Sequence, residues 1–115
     1  PIKENELPKY VKPYLELIQK IANLSAQANK SPIVSIAITA NGNISEYIDS
    51  LTTFATVGVM SESVGENVNY VNAEYVAKDR GIKIEKISNA NASGYKNRIG
   101  VKLTTQKEVI SICGT

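Results

Sequence analysis

The spacing of hydrophobic positions changes several times along the chain, and each change predicts an element. In PYLELIQKIANLSAQAN, apolar or small residues fall at Tyr14, Leu17, Ile18, Ile21, Leu24, Ser25 and Ala28, the i, i+3, i+4 pattern of one helical stripe. Proline is tolerated only near a helix's first turn, so the regular helix is expected from Pro13, with Pro8 opening a preceding turn. The polar run NKSP closes it, because the residue before Pro32 is pushed out of the helical region. The period then falls to two. In IVSIAITANGN, Val34, Ile36 and Ile38 share one face and Ser35, Ala37 and Thr39 the other, which reads as a half-buried strand. Asn41-Gly42 is a turn dipeptide and NISEYIDS reads as a polar connection. Asp49 or Ser50 is placed to cap a second helix from about Leu51 to Met60, with Leu51, Phe54, Ala55 and Gly58 on one side. Glycine weakens such a helix by about 1 kcal/mol relative to alanine, so close packing against a neighbour is the expected reason for Gly58.

The stretch VNYVNAEYVAKDRGI repeats a Val-Asn pair three residues apart and stops at glycine. With Asn72 as N-cap, Val71 and Val76 occupy the positions of a hydrophobic staple, and Gly81 falls where a helix end turns left-handed. Lys78 and Arg80 sit in the last turn, where cations favour the helix dipole. A short helix over about Ala73 to Arg80 accounts for nearly every residue of the motif. Three strands follow: IKIEKI with Ile82 and Ile84 on one face, RIGVKLTT with Ile99, Val101 and Leu103 inward, and EVISICG. Gln106-Lys107 is placed to turn the last two into a hairpin, although it lacks an Asn-Gly signal. Between the first two lies SNANASGYKN, whose small polar residues read as a mobile loop. The order α-β-α-α-β-β-β predicts an α/β (α+β) fold: an open mixed sheet of about four strands with helices packed on one side.

Composition narrows the function classes. The 115 residues form one domain by length, 43% apolar and 21% charged, long enough to close a modest core. No stretch approaches the roughly 18 apolar residues of a membrane span, and PIKENELPKY lacks the apolar core of a signal peptide. Cys113 is the single cysteine, consistent with a reducing, cytoplasmic setting. Thirteen basic and eleven acidic residues are interleaved to a net +2, which gives no nucleic-acid footprint. With no histidine, Ser-His and Cys-His nucleophile pairs and His-bearing metal sites are excluded.

Three groups of residues could carry chemistry. Asn69 and Asn72 stand at a helix entrance, where free N–H groups can hold an anion; capping is the commoner use of such asparagines. In GYKNR, Lys96 and Arg98, with Lys102 further along, could clamp a small phosphate or carboxylate, against the plainer reading of a solvated strand entrance. Glu62, Glu66, Glu74 and Asp79 are the candidate acids, but nothing in their spacing separates their proton affinities, so they read as solvated faces.

ENVNYVNAEYVAKDRGIKI, a polar loop, NRIGVKLTT and a closing ICGT together resemble the intervening, or allosteric substrate-binding, domain of long-form bacterial D-3-phosphoglycerate dehydrogenases. VKPYLELIQKIANLSAQ is similar to that domain's first helix and LTTFATVGVMSESVGENVNYVNA to its second. The resemblance implies a regulatory piece of an NAD-dependent oxidoreductase of serine biosynthesis. The catalytic residues and the NAD site would belong to other domains, and a serine-binding ACT domain would follow. It also implies that the chain is incomplete, with a small phosphorylated acid or phosphate as ligand and a homo-oligomeric parent. Most of the family's proposed anion-binding basic residues would then lie in the continuation. The family often places proline after the second V-N-A, where this chain has Glu74. The related domain of bacterial L-serine dehydratase and a ligand-free oligomerisation scaffold are the alternatives.

Overall fold

The computed structural model describes residues 8–29, 31–64, 67–89, 97–107 and 109–114. Three helices, α1 (Val11–Gln27), α2 (Ile48–Val64) and α3 (Ala73–Asp79), lie on one face of a four-stranded sheet. Its strands are β1 (Ile33–Asn41), β2 (Lys83–Asn89), β3 (Arg98–Thr105) and β4 (Val109–Gly114), in the order β2-β1-β3-β4. β1 and β2 are parallel, so the chain must cross over between them, and α2 and α3 lie in that crossover. The pairs β1–β3 and β3–β4 are antiparallel, and β3–β4 is the expected hairpin, with Thr104 opposite Val109. The expected element order and the helices on one side are both observed.

The core lies between the two layers. Ile36, Ile38, Ile99, Val101 and Leu103 point from the central strands into it, each no more than 1% exposed, as alternation in a sheet with one covered face requires. Val34, expected on the same face, is exposed: it sits beside the irregularity between Ile33 and Ser35 that shifts the β1–β3 register. α1 begins at Val11, two residues before Pro13, with the Val11 N–H donating to the Pro8 carbonyl as the expected preceding turn. Pro13 is accommodated because the first turn's N–H groups have no helical acceptor. The buried stripe of α1 also differs from the expected one. Val11, Leu15, Ile18, Ala22 and Ser25 are buried, whereas Leu24 is 57% exposed and Tyr14 and Leu17 are only partly covered.

The segment Asn43–Tyr47 is a 3-10 helix rather than a polar connection, and its Ile44 is fully buried. It runs directly into α2, so Asp49 and Ser50 lie inside that helix and neither caps it. The turn starts at Gly42, whose φ of 87° is a left-handed value that favours glycine. Gly58 has the expected close neighbour: an added Cβ would lie 2.5 Å from the Gln19 carbonyl oxygen of α1 and 3.1 Å from Ala22 Cβ.

The doubled asparagine resolves into a capping box one turn earlier than expected. Asn69 Oδ1 accepts from the N–H groups of Val71 (2.8 Å) and Asn72 (3.0 Å), and Asn72 Oδ1 accepts from the Asn69 N–H at 2.8 Å. This is the reciprocal arrangement in which cap and third helical residue satisfy each other's donors. Asn72 makes no side-chain bond to the donors of α3, and Val71 is 84% exposed, so the Val71–Val76 staple does not form. With Asn69 as the cap, Val68 and Ala73 take the staple positions, and both are buried. At the other end Gly81 has φ 78°, and the Ile82 N–H donates to the Ala77 carbonyl and the Gly81 N–H to the Lys78 carbonyl. That is a Schellman motif, as Gly81 predicted. Asn69→Ala is expected to cost about 1 kcal/mol in urea unfolding, with Asn69→Asp close to wild type and Asn72→Ala milder because its exposed partners can turn to water. A costlier Asn72→Ala would move the cap back to Asn72.

Candidate anion-binding site

The predicted site residues fall in different parts of the molecule. Asn69 and Asn72 start α3 on the helical side, and the N–H groups of Asn69, Val71 and Asn72 are engaged by the two side chains themselves. The Asn72 amide also donates to the Asn67 carbonyl at 3.0 Å. Arg98 begins β3 opposite Asn41, and both lie on the sheet face turned away from the helices. The structure therefore does not bring the asparagine pair and Arg98 together. Lys96 lies outside the described residues.

On that open face is a shallow notch of about 130 Å³ bounded by Thr39, Asn41, Arg98, Gly100, Lys102 and Cys113. Period-two alternation puts Arg98, Gly100 and Lys102 on this face, and the register sets Thr39 and Cys113 on either side of Gly100. Glycine in the middle of a strand leaves a gap in the row of side chains. A Cβ at Gly100 would stand 3.1 Å from Cys113 Sγ and fill part of that gap. Arg98 and Lys102, four residues apart, are separated by about 13 Å along the strand, within reach of converging over Gly100 through their long side chains. Both are exposed, neither takes part in an ion pair among the described residues, and the notch lining contains no carboxylate. Sequence reading singled out Arg98 and Lys102 but not Gly100, Thr39 or Asn41. Those residues belong to the site only through strand pairing.

Next to the notch, at the ends of β1 and β2, Asn97 Oδ1 accepts the Ile44 N–H at 3.0 Å and the Gly42 N–H donates to the Asn89 carbonyl at 3.1 Å. The Asn97–Ile44 bond ties the start of β3, and hence Arg98, to the 3-10 helix, and the Gly42–Asn89 bond ties the end of β2 to the turn before it.

The acidic candidates do not converge. Glu62 accepts from the Asn23 amide at 2.9 Å and the Gln27 amide at 3.2 Å. Glu74 lies 3.7 Å from Lys86 Nζ, which also donates to Asp49 at 2.9 Å. The Asp49 hydrogen bond raises the Lys86 pKa above its ordinary value, partly opposed by burial. Asp79 is exposed, and Glu66 lies outside the described residues. Among the described residues no group of three or more His, Cys, Asp and Glu is placed to hold a metal, and no helix is long and apolar enough to cross a membrane.

Comparison with known proteins identifies the domain. Residues 10–115 match the family model of the D-3-phosphoglycerate dehydrogenase intervening domain. D-3-phosphoglycerate dehydrogenase of Bacillus subtilis is 36% identical over 106 residues, covering 91% of this chain and 20% of the relative. The Synechocystis enzyme of the same name is 32% identical over 96 residues (82% of this chain, 17% of the relative), and that of Methanocaldococcus jannaschii 26% over 105 (90% and 20%). The chain thus spans about a fifth of the length of the curated relatives it matches. It belongs to the D-3-phosphoglycerate dehydrogenase intervening-domain family.

Proposed function

We propose that this chain is a regulatory, non-catalytic domain of a D-3-phosphoglycerate dehydrogenase and that it binds a small phosphate-bearing anion in the notch between Arg98 and Lys102. In the parent, NAD-dependent oxidation of 3-phosphoglycerate for serine biosynthesis, in the cytoplasm, would belong to segments outside these 115 residues. The observation that carries the reading is the presence of two cations on one side of a glycine-floored notch: among the described residues they have no ion-pair partner, and there is no carboxylate in the notch lining. A guanidinium and an ammonium group on one strand face, each long enough to reach over Gly100, suit the dispersed charge of a phosphate, with hydroxyl and amide groups at Thr39 and Asn41 to orient it. The shared name of the relatives favours this family over the L-serine dehydratase alternative.

The test is thermal unfolding at constant ionic strength in chloride, inorganic phosphate or phosphohydroxypyruvate. Ligand at about 100 times its dissociation constant stabilises by about 2.7 kcal/mol, a shift of several degrees for a domain of this size. The shift is expected for the wild type, to be lost in Arg98→Ala/Lys102→Ala, and to be reduced when Gly100→Ala fills the notch. An undiminished shift in the double variant would place the anion elsewhere, with Lys96→Ala as the next substitution. No shift for any anion would favour a ligand-free scaffold.

A further inference from the structure

The 3-10 helix Asn43–Tyr47 runs into α2 without a break, and their common N-terminus has no cap of its own, because the residue at the N-cap position is Gly42. Its donors are met in two other ways. The Ser45 N–H and hydroxyl both donate to the Gly42 carbonyl, at 3.0 and 2.7 Å. The Ile44 N–H donates to Asn97 Oδ1 at 3.0 Å, across 53 positions of sequence. Asn97 therefore does for this helix what an N-cap asparagine does for its own: it accepts from an N–H group that no helical carbonyl can reach. The bond is well anchored on the helix side, since the Ile44 side chain is fully buried.

The next residue is Arg98. Two adjacent residues thus serve opposite layers, Asn97 reaching the helical layer and Arg98 standing at the notch on the open face. The two cations of the notch are held differently. Lys102 lies in mid-strand, paired with Ala37 of β1 and Ser111 of β4, so the ladder fixes it from both sides. Arg98 is the first residue of β3, and its pair with Asn41 is the last that β3 makes with β1. Element ends open most readily, so the position of Arg98 depends on what restrains the chain just before it. That restraint is supplied by the Asn97 side chain.

We infer that Asn97 is a positioning residue of the notch, coupling anion binding at Arg98 and Lys102 to the capping of the 3-10 helix at Ile44. This role rests on the anion-binding reading proposed above. With the bond made, an anion meets a guanidinium already in place; with it broken, part of the binding free energy goes into ordering the strand end. Asn97 acts only through Arg98. Coupling of this kind is reciprocal: the factor by which the bond raises anion affinity is the factor by which a bound anion favours the closed bond. One hydrogen bond sets that factor at about two- to tenfold.

Two signals from the 115-residue chain at constant ionic strength test the coupling: the dissociation constant for inorganic phosphate, by calorimetry, and hydrogen exchange at the Ile44 amide, by NMR. Asn97→Ala is expected to weaken phosphate binding about two- to tenfold and to open the Ile44 amide to exchange. Saturating phosphate should slow Ile44 exchange in the wild type by a similar factor. The slowing should exceed that at the Ile82 amide, which donates to the Ala77 carbonyl just before the far end of β2; general stabilisation would slow both alike. In Arg98→Ala/Lys102→Ala the slowing should vanish while Ile44 keeps its phosphate-free protection. Asn97→Asp retains an acceptor and should keep that protection too. Undiminished phosphate binding in Asn97→Ala, or phosphate binding that slows Ile44 no more than Ile82, overturns the coupling and leaves the anion site standing. A wild type that binds no phosphate overturns both. Should Asn97→Ala not fold, the comparison of Ile44 with Ile82 in the wild type decides alone.

Discussion

Gly58→Ala is expected to destabilise the domain by about 1–3 kcal/mol even though alanine is the better helix former by about 1 kcal/mol. The reason is the identity of the obstacle. The new methyl would meet the Gln19 carbonyl oxygen at 2.5 Å, and that oxygen is helix backbone that cannot rotate aside. α1 and α2 would have to separate, loosening the most extensive contact between any two elements and straining the 3.0 Å bond from the Asn23 amide to the Gly58 carbonyl. At this chain length each kcal/mol lowers Tm by about 4 °C or more. Gly100→Ala is the matched control: its nearest atom is the side-chain sulfur of Cys113 at 3.1 Å, at an exposed strand edge that can yield. Urea melts of the two variants should therefore differ clearly. A Gly58→Ala domain as stable as wild type would mean that the helices are spaced more loosely than the geometry states.

Leu15→Ala should cost about 2–5 kcal/mol, the range for emptying a leucine site in a packed core. Leu15 is 2% exposed and lies in the buried stripe of α1. Leu24→Ala should change stability by no more than about 0.5 kcal/mol because that side chain is largely in solvent. The pair discriminates the two apolar stripes of the helix directly. Equal losses would show that Leu24, not only Leu15, belongs to the monomer's core.

These two leucines also mark the boundary between what is local and what is not. Both obey helical spacing, so the periodicity of α1 predicts a helix equally well whichever side is buried. The sheet and α2 make the choice by packing around Leu15, Ile18, Ala22 and Ser25, and Leu24 is left largely in solvent. The Val-Asn repeat is ambiguous for a related reason. Asn69 and Asn72 carry the same local signal one turn apart, and the structure places Val68 in the core and Val71 in solvent, so the helix caps at Asn69. In the 3-10 helix, the Ile44 N–H is satisfied by Asn97, 53 residues away, a partner that no window of neighbouring residues contains. The notch on the open face likewise exists only once β1, β3 and β4 are in register around Gly100.

What the sequence determined by itself is of a different kind. The left-handed stop at Gly81, the inward alternation of Ile99, Val101 and Leu103, the β3–β4 hairpin, the tight fit at Gly58 and the order of elements each follow from conformational limits or periodicity acting over a few residues. The same stretches carry the family likeness that residues 10–115 bear out. Which apolar side of a helix is buried, which of two equivalent caps is used and which cations share a glycine-floored notch depend on surfaces distant in the chain meeting. Those choices are made by burial and by long-range hydrogen bonds, so only the tertiary structure decides them.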